Sequence, residues 1–451
     1  MARTTSTQGL PVARRVPRAA FVALSAAATL LASTACSSSG STGAQGGGSA
    51  ALTLQTWGSV QSLQTMWGTY QAANASTTAG QSLSVVSGGG SDTDSVSKFR
   101  LELSSGKNIP DIMELNYGEV PEFVNSGALA DISAAVAPDL GNVTSAAQAL
   151  TKFDGKTVAV PIQVNEKLWF YRSDLFAKAG IDPASVKTQA DFEAAGKKLQ
   201  AVAPKSFIWN LPANPAPYQW GMIVSGNGAS YSTQSPCAIT VGSDQGTAQA
   251  FQAVKDLRGS GVVSTSIGDF TPQWQSALAD GTLASTLSAS WLPTFIQQYA
   301  PDLKGRWAVA QWPEIGGATG GSEAGGAVFV IPAASKHKAQ ALDFLTKTLM
   351  TASGASAYMQ KNPTYIPNVT SLLQSPEVQN NSYFGPSLIK AYLAASSTYK
   401  VFPYDPSNTA ETTALGSQLA NYLNSSDSSP SSFLQTAQNQ LAAQIRCPYK
   451  N

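Results

Sequence analysis

Histidine is nearly absent from this chain: His337 is the only one in 451 residues. Set between Lys336 and Lys338 at the start of an amphipathic helix, it is read as exposed and idle, which leaves a Ser-His-Asp or Cys-His hydrolytic arrangement without a base, and a lone histidine rules out a zinc site built on several imidazoles. Charge is scarce as well. Asp, Glu, Lys and Arg make up 12% of the residues, about half the usual share, and Ser, Thr, Asn, Gln and Gly take their place. The 28 basic and 27 acidic side chains nearly cancel, so no field favours nucleic acid or a charged membrane surface. Cysteine is limited to Cys36, Cys237 and Cys447.

The apolar run at residues 19–32 is well short of the roughly 20 residues of a spanning helix. Arg3, Arg14, Arg15 and Arg18 precede it, and Ser33, Thr34 and Ala35 follow. This is the layout of a signal peptide over residues 1–35. Residues 37–49 contain only Ser, Gly, Thr, Ala and Gln, which makes 36–50 a flexible tether. Small residues before Cys36 resemble the lipobox of bacterial lipoproteins, with Ser33 in the usual place of Leu. The resemblance implies a diacylated Cys36 that holds the chain on the outer face of the cytoplasmic membrane; an ordinary secretory peptide with a stray cysteine is the alternative. Pro17 and Arg18 stand where a twin-arginine signal wants apolar residues, so general secretion is expected. Outside the cytoplasm, Cys237 and Cys447 are free to bridge, which would pin the C-terminus to one domain; two buried thiols are the other outcome. In a bacterial chain the Asn-x-Ser/Thr triplets at Asn74, Asn142, Asn368 and Asn424 are chance matches.

About 400 residues remain past the tether, enough for two domains. Alternating residues at 52–57 predict a strand, and Leu63, Met66, Trp67 and Tyr70 recur at helical spacing over 60–73. Further strands are expected at 82–87, 110–115, 157–161 and 168–171, with helices at 95–105 and 120–126 and a short helix capped by Asp174. The second half continues with helices at 189–202, 245–259, 271–280 and 338–350 and strands at 283–288, 307–312 and 327–331. Strands alternating with helices predict an α/β fold with parallel sheets, in which ligands bind at the carboxyl ends of strands. Gly88-Gly89-Gly90 lacks the Lys-Ser/Thr of a phosphate loop, and Asp92-Thr-Asp94 lacks the further acids of a calcium loop. Both are read as solvent turns, and neither a metal nor a cofactor is expected.

Several stretches together resemble a known family: Ile109-Pro-Asp-Ile-Met-Glu-Leu115 with Glu122-Phe-Val-Asn-Ser-Gly-Ala-Leu-Ala-Asp131, Asp154-Gly-Lys-Thr-Val-Ala-Val-Pro161, Leu168-Trp-Phe-Tyr-Arg-Ser-Asp-Leu-Phe-Ala-Lys-Ala-Gly-Ile181, Ala279-Asp-Gly-Thr-Leu-Ala284 leading to Ser290-Trp291, Gly325-Gly326, and residues 331–345. In this order the chain is similar to the extracellular solute-binding proteins of family 1, which include maltose-type and other oligosaccharide receptors. The resemblance implies a periplasmic-binding-protein-like fold of type II, two α/β lobes hinged around a ligand cleft. Residues 51–161 with 314–352 would form the N-terminal lobe, and 162–313 with 353–451 the C-terminal lobe. It also implies a monomeric, non-enzymatic receptor that delivers a neutral mono- or oligosaccharide to the permease subunits of an ABC importer. Two rivals stand beside it. A same-fold receptor for a polyamine or iron chelate wants converging acids or clustered tyrosines; a lipid-anchored glycoside hydrolase wants paired carboxylates, one of raised pKa.

A neutral sugar offers flat C–H faces and hydroxyls, so its receptor needs aromatic platforms and amide, carboxylate or backbone partners. Trp57, Trp220 and Trp291 fall at segment ends and are candidates for stacking, against the commoner fate of core packing. Trp67, Trp169 and Trp307 lie inside helix or strand patterns and are read as core. By resemblance Asn116, Tyr117, Gln163 and Asn165 face the cleft, although Asn and Gln also serve as turn formers. Gly325 and Gly326 match the family's glycine pair, where backbone approaches ligand. Asn210, Tyr365 and Tyr404 complete the candidates. His337, between Lys336 and Lys338, is read as exposed and without a role.

Overall fold

The alternation expected at residues 52–57 forms strand β1 (Ala51–Thr56), whose Leu52 and Leu54 are fully buried. The computed structural model describes residues 51–445 except 154, 235, 236, 320, 363 and 364. Residues 1–35, read as a signal peptide, residues 36–50, read as a tether with Cys36, and Cys447 lie outside the described residues. Strands β2 (Ser82–Ser87) and β3 (Ile112–Asn116) flank β1 in parallel. The helix Val60–Ala73 between β1 and β2 is capped by the Ser59 hydroxyl, which accepts from the Ser62 N–H and satisfies a first-turn donor. Its buried Leu63, Met66, Trp67 and Tyr70 share one face, and Trp67 meets Phe344 edge-on at 5.0 Å. The helix Asp92–Ser105 starts at the Ser91 cap with Asp92 and Asp94 in its first turn, where the helix dipole favours negative charge. Asp92-Thr-Asp94 is therefore a helix start rather than a solvent turn.

Two strands expected at 157–161 and 168–171 are a single one, β4 (Ala159–Arg172). Pro161 does not end it, because its partner strand shifts register opposite residues 161–163, where a missing N–H is tolerated. Strands β5 (Ser285–Ala289), β6 (Trp307–Gln311) and β7 (Glu323–Val330) all run antiparallel to β4, and β7 runs antiparallel to β3. The sheet order is β5-β4-β7-β3-β1-β2, with β6 also paired to β4. This mixed sheet replaces the parallel one expected. Strand–helix alternation carries polarity for β1, β2 and β3, whereas the later strands return from long excursions and their direction is not encoded in that pattern.

Strand β4 serves two hydrophobic cores. Residues 159–166 pair with β7, and 167–172 pair with β5 and β6. The first core gathers Leu52, Phe99, Ile112 and Phe344, and the second Trp169, Phe192, Trp209 and Phe251. Trp67, Trp169 and Trp307 are core residues, as read. The helix Ala352–Lys361 packs on Val60–Ala73 and Lys338–Leu349, while Asn408–Leu423 and Ser431–Gln444 pack on each other. Asn368 is fully buried and holds β4 with both ends of its amide: Oδ1 accepts from the Val164 N–H at 3.1 Å and Nδ2 donates to the Pro161 carbonyl at 3.3 Å. Its triplet is a chance match. Among the described residues no helix is long and apolar enough to cross a membrane.

His337 is not idle. Its Nδ1 lies 3.2 Å from Asp111 Oδ1, which also accepts from the Ser335 hydroxyl at 2.8 Å, while Asp111 Oδ2 accepts from the Thr53 N–H at 2.9 Å. Burial acts to raise the Asp111 carboxyl, but the bonds from Ser335, Thr53 and His337 hold it below the usual range. The cluster fastens the entrance of β3 to β1 and to the turn before the helix Lys338–Leu349.

Gly325 and Gly326 sit at the irregularity in the β4/β7 pairing with φ of +80° and +133°. A Cβ on Gly326 would lie 2.7 Å from both the Gln163 carbonyl oxygen and the Tyr117 ring. Gly326→Ala is expected to cost about 1–3 kcal/mol, measured as a lower urea midpoint at unchanged m value; a variant as stable as the parent would show that the bulge relaxes freely.

Candidate functional site

The carboxyl ends of β1 and β3 form one rim. The Thr56 hydroxyl donates to Glu114 and accepts from the Gly58 N–H at 2.7 Å. Burial pushes the Glu114 carboxyl up to about 7 against the pull of Thr56 and Gly58. Trp57 lies between these groups in sequence and is partly exposed. Asn116 donates from its amide to Asp92 Oδ2 at 2.7 Å and from its backbone to Glu119 Oε2 at 2.8 Å. Burial, aided by the charge of Asp92, raises Glu119 to about 8. Tyr117 turns inward to 1% exposure, its ring against Gly326, so it supports the rim from below rather than facing solvent.

The crossing strand supplies the second part. Gln163 donates through Nε2 to the Ser290 carbonyl at 3.1 Å, and Asn165 accepts through Oδ1 from the Ser290 hydroxyl at 3.1 Å. Both amides, expected to meet sugar hydroxyls, engage the residue that precedes Trp291. Next to them, buried Lys167 donates to the carbonyls of Met222 at 3.1 Å and Thr319 at 2.8 Å. Burial lowers this ammonium and raises the carboxyl of neighbouring Glu166.

Trp291 is partly exposed and packs against both hydrophobic cores, as does Tyr404. Around it stand Tyr218 at 5.4 Å, Phe295 at 5.5 Å and Phe270 at 5.6 Å between ring centroids, with Phe270 tilted only 31° from the indole plane. Phe270 is 50% exposed and has φ of +61°, a backbone state that costs a bulky residue roughly 1–3 kcal/mol and clusters at ligand sites. The residue before it, Asp269, accepts from the Tyr218 hydroxyl at 2.5 Å and from Asn210 Nδ2 at 2.7 Å. Asn210 also donates to the Ile267 carbonyl at 3.1 Å; facing two acceptors fixes its amide orientation. Burial raises the Asp269 carboxyl to about 6, with Tyr218 and Asn210 pulling it down. The result is an aromatic shelf edged by a hydrogen-bond acceptor.

Other candidates go elsewhere. Trp220 is 1% exposed in the second core, edge-on to Phe251 at 6.0 Å, and offers no face to a ligand. It lies in the helix Pro217–Gly226, where Met222, Ile223 and Val224 are buried too. Tyr365 is buried and donates its hydroxyl to the Ile162 carbonyl at 3.1 Å, bracing β4. Asn210 is fully buried behind the shelf. Tyr404 closes on Gly118, where an added Cβ would lie 2.9 Å from its ring. Gly325 faces open space. Cys237 is disulfide-bonded; both other cysteines lie outside the described residues. Tyr218, Asp269, Phe270 and Glu114 are not among the sequence candidates. The one local signal, for Asp269 and Phe270 alone, is that this acid–aromatic pair stands immediately before Thr271-Pro272, the start of a helix.

A separate groove of about 860 Å³ is lined by Arg100, Glu122, Asn125, Thr409, Ala410 and Thr413. Arg100 and Glu122 neutralise each other through two bonds of 2.6 Å, and no shelf residue lines it. Among the described residues no three His, Cys, Asp or Glu side chains are grouped to hold a metal ion.

One strand shared by two α/β cores is the arrangement of the two-lobe binding-protein fold of type II. Residues 48–385 match the family described as bacterial extracellular solute-binding protein, and the chain belongs to that family. As a member of an extracellular family it is an exported protein. It is 26% identical over 252 residues to the arabinooligosaccharide-binding protein of Bacillus subtilis, covering 54% of this chain and 57% of that one. To the lactose-binding protein of Rhizobium radiobacter it is 25% identical over 258 residues, covering 55% and 59%. The chain thus spans somewhat more than half the length of these curated relatives. An ABC transporter associated binding protein from B. animalis subsp. lactis, solved with β-1,6-galactobiose, has a TM-score of 0.74 at 20% identity, covering 88% of this chain and 97% of that one. At that identity the likeness is one of fold.

The raised carboxyl of Asp269 sets a pH dependence. Its folded value of about 6 lies above the unfolded value near 3.9, so the folded state holds the proton more tightly. Stability from this group is fully present below about pH 4 and is lost as pH rises towards and through 6. Asp269→Asn lacks that loss, so its melting temperature should gain on the parent between pH 4 and 7 and run parallel above. A constant difference across the range would show that Asp269 keeps an ordinary carboxyl.

Proposed function

We propose that the chain is an extracellular receptor that captures a neutral oligosaccharide and passes it to the permease of an ABC importer, with no chemical step of its own. The observation that carries this reading is the shelf: Trp291 and exposed Phe270 offer flat apolar faces, and Asp269 beside them accepts hydrogen bonds. A sugar ring has the matching surfaces, C–H faces for stacking and hydroxyls for the carboxylate. Relatives that bear the names arabinooligosaccharide- and lactose-binding protein support a carbohydrate ligand.

In this reading the N-terminal lobe is built on 51–161 with 314–352 and the C-terminal lobe on 162–313 with 353–451. Trp57 and Asn116 meet the ligand from the first, and Trp291, Phe270 and Asp269 from the second. Closure follows from contacts the ligand makes to both lobes at once, since equal affinity for open and closed states would shift neither. A monomer suffices. Lipidated Cys36 would keep it near the permease, and a Cys237–Cys447 bridge would secure the last helix.

A thermal-shift screen against mono-, di- and trisaccharides tests the ligand class. A true ligand at 100 times its Kd should stabilise the protein by about 2.7 kcal/mol. Trp291→Ala should then lose about 1–3 kcal/mol of affinity, as aromatic stacking does elsewhere, with little change in the melting of the free protein. Stabilisation by polyamines or iron chelates alone would overturn the sugar reading, and hydrolysis of any oligosaccharide would overturn the receptor reading.

A further inference from the structure

We propose that Ser290 is the positioning residue for the stacking face: it fastens Trp291 to the strand that crosses between the two cores, so that the face moves with that strand. The proposal rests on the carbohydrate reading of Trp291 given above. Ser290 is fully buried, and its backbone and hydroxyl are all engaged by one short stretch of β4. Its N–H donates to the Glu166 carbonyl at 3.0 Å, and its carbonyl accepts from Gln163 Nε2 at 3.1 Å. Its hydroxyl accepts from the Glu166 N–H at 3.2 Å and donates to Asn165 Oδ1 at 3.1 Å.

The place of this bracket gives it meaning. Val164 of β4 still pairs with Gly326 of β7, whereas Lys167 already pairs with Ala289 of β5. Ser290 therefore grips the changeover itself, one residue past the end of β5. Trp291 follows directly and heads the helix Leu292–Tyr299, so its backbone is held by the bracket on one side and a helix on the other. A further tie runs outward from the same point, where Glu166 Oε1 accepts from the Ser396 hydroxyl at 2.7 Å. Any bend of β4 at residues 163–166 is carried into the orientation of the indole. Ala at this position would remove the hydroxyl's bonds to the buried Glu166 N–H and Asn165 Oδ1, a loss that is costly where water does not reach, and would free the turn while leaving the aromatic ring chemically intact. Side chains that bind a ligand need supporting bonds of this kind to hold their geometry.

The test combines two measurements on the mature full-length protein. With 5-fluorotryptophan incorporated, the Trp291 signal is assigned in the ¹⁹F spectrum by its loss in Trp291→Phe. Ser290→Ala should shift or broaden that signal in the free protein and leave those of buried Trp169 and Trp220 in place. Calorimetry then uses the saccharide of largest thermal shift. Ser290→Ala should weaken binding about tenfold, chiefly through faster dissociation, yet add no loss in the Trp291→Ala background. Gln163→Met, which removes one bond of the bracket at a partly exposed position, should show the same pattern more weakly and serves if Ser290→Ala does not fold. An unmoved Trp291 signal, or losses that add in the double variant, overturns the positioning role. A parent protein that binds no saccharide overturns the carbohydrate reading, and the fluorine spectrum still decides whether Ser290 holds Trp291.

Discussion

The structure depends on one constraint: β4 must complete two sheets at once. At about 3.3 Å per residue its 14 residues reach roughly 45 Å, long enough to run from one core into the other. Each half needs strand partners of its own, and the changeover falls between Glu166 and Lys167, two charged residues that are both fully buried. Burying charge is costly unless it is bonded. Lys167 meets two carbonyls and stands 5.1 Å from the centre of the Trp312 ring, and Glu166 has Ser396. These bonds are specific in a way apolar packing is not. A slip of one residue would turn Lys167 away from its carbonyls and reverse every side chain of the strand. The pair therefore contributes register more than stability, and register matters here because the residues just before it grip Ser290.

The same constraint explains what the sequence revealed and what it hid. The first parallel strands, their helices and the core tryptophans follow from local periodicity, which Leu63, Met66, Trp67 and Tyr70 display openly. Trp291 stands out as a candidate because it lies outside such a pattern, just after a strand. Trp220 looked similar behind its Pro- and Asn-rich turn, yet it is followed by Met222, Ile223 and Val224, whose burial all round the helix draws it into the core. Gln163 and Asn165 were placed at the crossing by resemblance, but nothing local says that their partner is Ser290, more than a hundred residues away.

Asp269, Tyr218 and Asn210 illustrate the limit most clearly. They come from a loop, a helix and a two-residue strand, and only the fold brings the Tyr218 hydroxyl and the Asn210 amide onto one carboxylate. No periodicity links them. The nearest signal is conformational: Phe270 adopts a positive φ that an unconstrained chain would avoid, and the following Thr271 caps a helix through the Trp274 N–H. The loop is held by the helix behind it and by the hydrogen bonds to Asp269, which fix the aromatic ring in solvent where a relaxed chain would withdraw it.

Scarcity of charge then acquires a physical role at the site. The acids at the rim and shelf, Glu114, Glu119 and Asp269, all have carboxyls raised by burial, and none is among the ion pairs of the described residues, which involve Glu102, Glu122, Asp174, Asp111 and Asp343. A carboxylate locked to an arginine has its lone pairs occupied. One held by a tyrosine and an asparagine keeps acceptor capacity for further donors, at the cost of a partly suppressed charge. Hydroxyl donors suit such a group, because they add hydrogen bonds without requiring that a second charge be desolvated. Acidic ligands meet the opposite situation: they would bring a second negative charge against Asp269, which is held by the neutral Tyr218 and Asn210. In the proposed reading the arrangement selects by the acceptor capacity that Asp269 retains beyond its bonds to Tyr218 and Asn210, and the bracket at Ser290 would keep the aromatic face where that acceptor can share its ligand.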